Sequence, residues 1–251
     1  MTDFSYQLYS SRNFPPLDNT FKMLSDLGYK GVEGYGALVT EIDDPSEVRA
    51  QLDQNNLKMT SCHIGLDFIQ DEAARAISLA KTVGIEQVFV PFLMPDSRPN
   101  DADGWRAFGK VLAEACKPIV DAGLAFGWHN HDFEFTKLAT GELPMDLILD
   151  IAPDLSMEFD VAWAVKADSD PLTFINKYQN RITAAHIKDI APVGECLDED
   201  GWADVGHGTV AWPQLFAALK AAGTELFVME HDNPSDHQRF ASRALASAQQ
   251  F

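Results

Sequence analysis

FGWHNHDFE, residues 126–134, is an apolar run that ends in imidazoles and acids, and three later stretches repeat its design: MEFD at 157–160, AAHIK at 184–188 and VMEHD at 228–232. One acid or histidine at the end of a strand is ordinary. Four strands ending this way converge on one point if they belong to one closed barrel, and a divalent metal ion is the simplest chemical reason to gather them.

Working outward from these stretches, short β-prone runs alternate with helix-patterned ones along the whole chain. Strands are expected at 5–9, 31–34, 58–63, 87–91, 125–131, 156–161, 184–188 and 225–230, and helices at 17–27, 45–54, 71–83, 103–122, 144–151, 171–178, 212–222 and 236–249. The punctuation agrees. Asp44-Pro45 and Asp170-Pro171 put a capping side chain before a proline, and Gly28, Gly84, Gly123 and Gly223 follow helix ends. Eight strand–helix repeats predict a single α/β domain over residues 1–251, a (β/α)8 or TIM barrel. The alternative, a doubly wound open sheet, lacks a G-x-G-x-x-G after its first strand.

A formal net charge of −19 repels polyanions, which argues against nucleic acid as a partner. No Lys/Arg cluster near the four stretches offers a cradle for a phosphate, so a neutral or singly charged small molecule is expected. Cys62, Cys116 and Cys196 are far apart and odd in number, which argues against a disulfide framework and a thiolate zinc site. The opening MTDFSYQLYSS has no basic n-region and no later run is apolar enough to span a bilayer, so a cytoplasmic protein with no membrane partner is expected. Association as a homodimer is left open.

Strand alternation places His129 with His131, Glu158 with Asp160, His186 with Lys188, and Glu230 with Asp232 on common faces toward the barrel mouth. Carboxylates and imidazoles without thiolates suit one divalent ion, Mn²⁺, Zn²⁺, Co²⁺ or Mg²⁺, and Asp160, His186 and Glu230 read as three of its ligands. Glu158 is either a buried hydrogen-bonded carboxyl or a partner to the ligands. Lys188 either polarises a substrate oxygen or pairs with a neighbouring acid. Glu33 is a candidate for substrate contact or acid–base work, His63 for the pocket wall, and His207 in VGHGTV for a loop over the same face. Trp128 and Trp163 either wall a sugar site or pack between strand and helix, and Phe14, Phe92 and Trp202 sit in loops able to close over a ligand.

The stretches WHNHDFEF, EFDVAW, HIKD, DVGHGTVAWPQLFAALKAAG and MEHDNP, with YQLYSSR near the start, resemble the sugar phosphate isomerase/epimerase family with a xylose-isomerase-like barrel. The resemblance implies a divalent metal held by Glu, Asp, His and Glu from strands five to eight, with Asp160, His186 and Glu230 at the last three positions. At strand five, many relatives have Glu-Asn-His where this chain has His129-Asn130-His131. Either His129 or His131 binds the metal, or Glu134 reaches back. Glu134 is preferred, because a fourth charged oxygen keeps the family's chemistry. His207 stands where relatives often carry an acid.

The implied function is a metal-dependent isomerase or epimerase of a small sugar or keto-sugar working through an enediolate, with Glu230 and the strand-five acid on opposite faces of the substrate. Loss of a β-hydroxyl or alkoxy group from the same enediolate would make it a lyase or dehydratase, with an imidazole such as His129 or His131 as general acid. The related apurinic-site endonucleases must hold DNA, which the net charge disfavours. A barrel that binds sugar without turning it over is the third reading.

Overall fold

Eight parallel strands close into a barrel in the computed structural model, which describes residues 2–40, 42 and 44–251. The strands are β1 (Ser5–Gln7), β2 (Gly31–Gly34), β3 (Lys58–His63), β4 (Gln87–Val90), β5 (Ala125–His129), β6 (Ser156–Asp160), β7 (Ile182–Ile187) and, after a small ribbon of β8 (Asp189–Ile190) and β9 (Trp202–Ala203), β10 (Leu226–Met229). Around the barrel the order is β1-β10-β7-β6-β5-β4-β3-β2, so chain neighbours are spatial neighbours and β10 pairs with β1 to close the ring. The expected (β/α)8 barrel is therefore what the chain forms.

Helices cover the outside, and their ends follow the local chemistry. Asp44 and Asp170 accept backbone N–H groups of Ser46 and Leu172 ahead of helices that begin at Pro45 and Pro171. Gly28 and Gly84, with φ of 103° and 95°, end α1 (Leu17–Leu27) and the helix Leu66–Val83 in the left-handed region that glycine enters without penalty. Strands covered by helices outside and packed side chains inside bury both faces, and these read as short continuous apolar runs.

The strand ends depart from the sequence expectation, and the departures shape the mouth. β1 stops at Gln7 and turns into a 3-10 helix, Leu8–Ser11, rather than running to residue 9. β5 stops at His129, because the next side chain takes over the pairing: Asn130 donates to the Asp160 carbonyl at 3.0 Å and accepts the Asp160 N–H at 3.0 Å. β10 stops at Met229, so Glu230 and Asp232 lie just beyond it. The short helix Val161–Lys166 starts directly after β6, where the Asp160 side chain accepts the Trp163 N–H; periodicity does not reveal a helix so close to a strand. The helix expected at 71–83 begins at Leu66 and breaks at Glu72.

The connection after β7 is pinned by one buried carboxylate. Asp189 accepts four backbone N–H groups, from Ile190 (2.9 Å), Gly206 (2.9 Å), Gly208 (3.2 Å) and Val210 (3.0 Å). A Cβ at Gly208 would collide with the Ile190 carbonyl oxygen and the Asp189 carboxylate, so only glycine fits. This loop carries Trp202, whose ring meets Trp163 and lies under the Lys188 ammonium at the mouth. Among the described residues no helix is long and apolar enough to cross a membrane. Asp189→Ala strips these amides of their acceptor and is expected to cost about 2 kcal/mol or more, and Gly208→Ala about 1–3 kcal/mol, both read from urea unfolding midpoints.

Candidate metal centre

Two storeys of polar side chains fill the carboxyl end of the barrel. Side chains two apart on a strand share a face, so Glu158 and Asp160 both point inward from β6, one below the other. The register puts His129 beside Glu158 and Asp160 beside His186. The lower storey holds Gln7, Glu33, Ser61, His63 and Glu158, and the upper one His129, Asp160, His186, Lys188 and Glu230, all buried.

In the upper storey one ligand atom from each of His129, Asp160, His186 and Glu230 lies within 4.8 Å of the others. His186 Nδ1 is 2.8 Å from Glu230 Oε2 and 4.0 Å from Asp160 Oδ2. Asp160 is oriented by Oδ1, which accepts the Trp163 N–H at 3.0 Å, while buried Oδ2 has no hydrogen-bond partner. Lys188 Nζ sits 2.5 Å from Asp232, 3.3 Å from Glu230 and 3.8 Å from Asp160. Burial alone would lower its pKa, but the Asp232, Glu230 and Asp160 carboxylates outweigh that and hold it charged. Burial pushes Asp160 up to about 6 despite the Lys188 and His186 charges. Burial also lowers His129 to about 3, which keeps that imidazole neutral and able to donate a lone pair.

These residues fit a divalent cation. The donors are carboxylate oxygens and imidazole nitrogens, the buried acids Glu33, Glu158, Asp160 and Glu230 outnumber the one buried lysine, and Asp160 Oδ2 is an orphaned acceptor facing the group. A second set, His63, His129, Glu158 and His186, meets the same distance criterion one storey down and shares two imidazoles with the first.

Glu134 is fully buried in the turn Phe133–Phe135, with Oε1 accepting the Trp128 indole N–H at 2.8 Å and Oε2 the His131 N–H at 2.9 Å. Burial pushes it up to about 8, and it belongs to neither ligand group, so at strand five the geometry favours His129 over Glu134. His131 lies beyond the strand at the cavity edge, with Phe92, Trp163 and Phe133 rings at 4.9, 5.1 and 6.0 Å and its Nδ1 unpartnered. Burial lowers its pKa well below the usual histidine range. Glu33 lies in the floor rather than the mouth, and His63 bridges floor and cavity. Trp128 packs against Phe108. Phe14 stacks on His237 at 4.2 Å, and His207 is exposed, its N–H bonded to Asp204 and its side chain outside the cavity lining.

Above the upper storey a cavity of about 790 Å³ opens to the surface, bounded by Tyr9, Arg12, Tyr35 and Phe92 as well as the histidines. Sequence reasoning assigned no role to Arg12, although YQLYSSR runs from the first strand into the turn after it; its Nη1 donates to the Asp232 carbonyl at 2.5 Å and ties β1 to the end of β10. Gln7 and Ser61 escape sequence reasoning too. Their only signal is an inward position on β1 and β3, which a single polar residue in an apolar run does not announce.

The family model described as xylose isomerase-like TIM barrel matches residues 21–250. Inosose dehydratase from Lacticaseibacillus casei is 25% identical over 182 residues, 65% of this chain and 60% of the relative, so the match spans about three-fifths of that relative's length. Among solved structures, a sugar phosphate isomerase/epimerase from Parabacteroides distasonis superposes with a TM-score of 0.84 at 21% identity, covering 99% of this chain and 93% of the other. The IolI protein with a bound zinc atom superposes at 0.81 with 14% identity, covering 99% and 97%. Identities this low carry the fold alone. Elemental analysis after incubation with Zn²⁺ or Mn²⁺ is expected to find one ion per chain in the native protein and none in His186→Ala or Glu230→Gln.

Proposed function

Because this chain belongs to the xylose isomerase-like TIM barrel family, we propose that it is a divalent-metal-dependent dehydratase, a lyase acting on a small keto-sugar or cyclic keto-polyol. His129, Asp160, His186 and Glu230 would hold the ion. When bound there, the ion supplies a Lewis acid that polarises the substrate carbonyl and eases loss of the proton on the adjacent carbon.

The observation that carries the reading is the placement of His131: an imidazole lining the cavity, held among Phe92, Phe133 and Trp163, with no hydrogen bond to either ring nitrogen among the described residues. Such a group takes the α-proton. The C–H electron pair becomes the new carbon–carbon double bond, the β C–O bond breaks with its electrons on oxygen, and the proton passes from His131 to that oxygen, releasing water. The Lys188 ammonium, fixed by Asp232, stands ready to stabilise negative charge on a substrate oxygen. Glu134 holds the His131 backbone, and the aromatic rings keep the imidazole in place and water out.

An epimerase needs a group on the opposite face to return the proton as well. At strand five that position carries His129, whose Nδ1 faces Glu158, and both oxygens of Glu134 are occupied. Proton chemistry from one face is what remains. The likeness to inosose dehydratase supports loss of water from a keto-polyol. Aldose–ketose isomerisation is the second reading, favoured by the same single imidazole, which would return the proton to the neighbouring carbon.

Proton NMR of the metal-loaded protein with inosose-type keto-polyols in D₂O is the test. Loss of water with formation of an enone or dione is expected, and His131→Ala should lower turnover by about 10²–10⁴-fold with metal content unchanged. Conversion to an aldose without loss of water would establish the isomerase. Ligand binding without exchange or turnover would leave a sugar-binding barrel.

A further inference from the structure

The barrel floor carries two fully buried acids, Glu33 on β2 and Glu158 on β6, with no part in the chemistry above. Both face imidazoles. His186 Nε2 is 2.7 Å from Glu33 Oε1 and 3.3 Å from Glu158 Oε2, while its Nδ1 faces Glu230 and Asp160. His129 Nδ1 is 3.0 Å from Glu158 Oε2, and its Nε2 has no hydrogen-bond partner among the described residues.

An ionised carboxylate only accepts, so a ring nitrogen held by one keeps its proton; on His129 that leaves Nε2 to offer a lone pair, and on His186, which has carboxylates at both nitrogens, it leaves Nδ1 to do so once the proton toward Glu230 is gone. We propose that Glu33 and Glu158 are positioning residues that set the tautomers of His186 and His129, so that Nδ1 of His186 and Nε2 of His129 face the cation. The proposal rests on the metal-centre reading and deepens it. The proton that the ion displaces is the one between His186 Nδ1 and Glu230.

The acids are themselves clamped. Glu33 accepts Gln7 Nε2 at 2.7 Å and Ser61 Oγ at 2.5 Å, and His63 Nε2 stands 2.5 Å from Glu158 and 3.2 Å from Glu33. Strands β1, β2, β3 and β6 thus converge to hold two imidazoles that sit on β5 and β7. A floor built only for packing would be filled at lower cost by apolar residues, since two buried carboxylates each carry a desolvation penalty. The lower set of His63, His129, Glu158 and His186 is accordingly the orienting layer rather than the seat of the ion; an ion there would leave the buried Asp160 Oδ2 without a partner.

The experiment measures Zn²⁺ affinity by chelator competition in the native chain, Glu33→Gln and Glu158→Gln, with melting midpoints in EDTA. The amide of glutamine can turn its NH₂ toward the ring and favour the wrong tautomer. Affinity is expected to fall about 10–100-fold in each variant, while the metal-free midpoint stays level or rises as a buried charge is removed. Long-range ¹⁵N correlation spectra of the zinc-loaded native chain should show His186 protonated at Nε2.

Affinity unchanged in both variants, or His186 protonated at Nδ1, overturns the proposal while leaving the metal centre intact. A fall in affinity matched by a fall in the metal-free midpoint would make the acids structural and also overturn it. Zinc retained by Asp160→Asn but lost by His63→Gln would put the ion in the floor and overturn it as well. Failure of the native chain to bind zinc would remove the metal centre and the proposal together.

Discussion

The surplus of negative charge buried at one end of the barrel is the constraint on which the rest of the structure depends. Glu33, Glu158, Asp160 and Glu230 are all removed from water, and Lys188 is the one buried lysine among them. Carboxylates in that setting are tolerated only with partners of opposite charge or with donors on their oxygens. The barrel supplies some: Gln7 and Ser61 for Glu33, the Trp163 N–H for Asp160, and Lys188 for Glu230 and Asp232. The imidazoles bridge others. Two buried carboxylate oxygens are left without a hydrogen-bond partner, Glu158 Oε1 below and Asp160 Oδ2 above, and the second faces the group that would hold a divalent cation.

Alternation along the strands turns that charge into two storeys with different duties. The lower storey is closed and cross-linked by hydrogen bonds from four strands, whereas the upper one opens to the cavity. Their coupling runs through the two nitrogens of single imidazole rings, so a proton on one side of His186 or His129 decides what the other side can bind. Asp160 shows the same economy, with one oxygen capping the helix that follows β6 and the other facing inward. The Asp189 anchor and the Arg12 contact to the end of β10 act farther out, holding the loop with Trp202 and the barrel seam in register with the mouth.

Histidine at the strand-five position changes the character of the centre. Where the resemblance implies a glutamate, an imidazole would make the candidate ligand set one charge less negative and move it toward ions that favour nitrogen donors. His131, two residues on and beyond the strand, lines the cavity with its Nδ1 unpartnered.

Sequence alone was enough for the barrel and for pointing to most of the candidate ligand group. Strand and helix periods repeated eight times, caps stood where helices begin, and Asp160, His186 and Glu230 were readable because strand ends in a parallel barrel converge whatever the loops do. The tertiary structure decided what depends on which atom meets which. Glu134 follows its strand closely enough to look like a ligand, yet its two oxygens are taken by Trp128 and His131, a local closure that no spacing encodes. Glu33 and His63 sit on strands two and three, remote in sequence from the histidine motifs, and became part of the centre only when ring closure brought them under His186. Polar side chains are placed in depth by strand stagger and register. Those are properties of the closed barrel and not of any one strand.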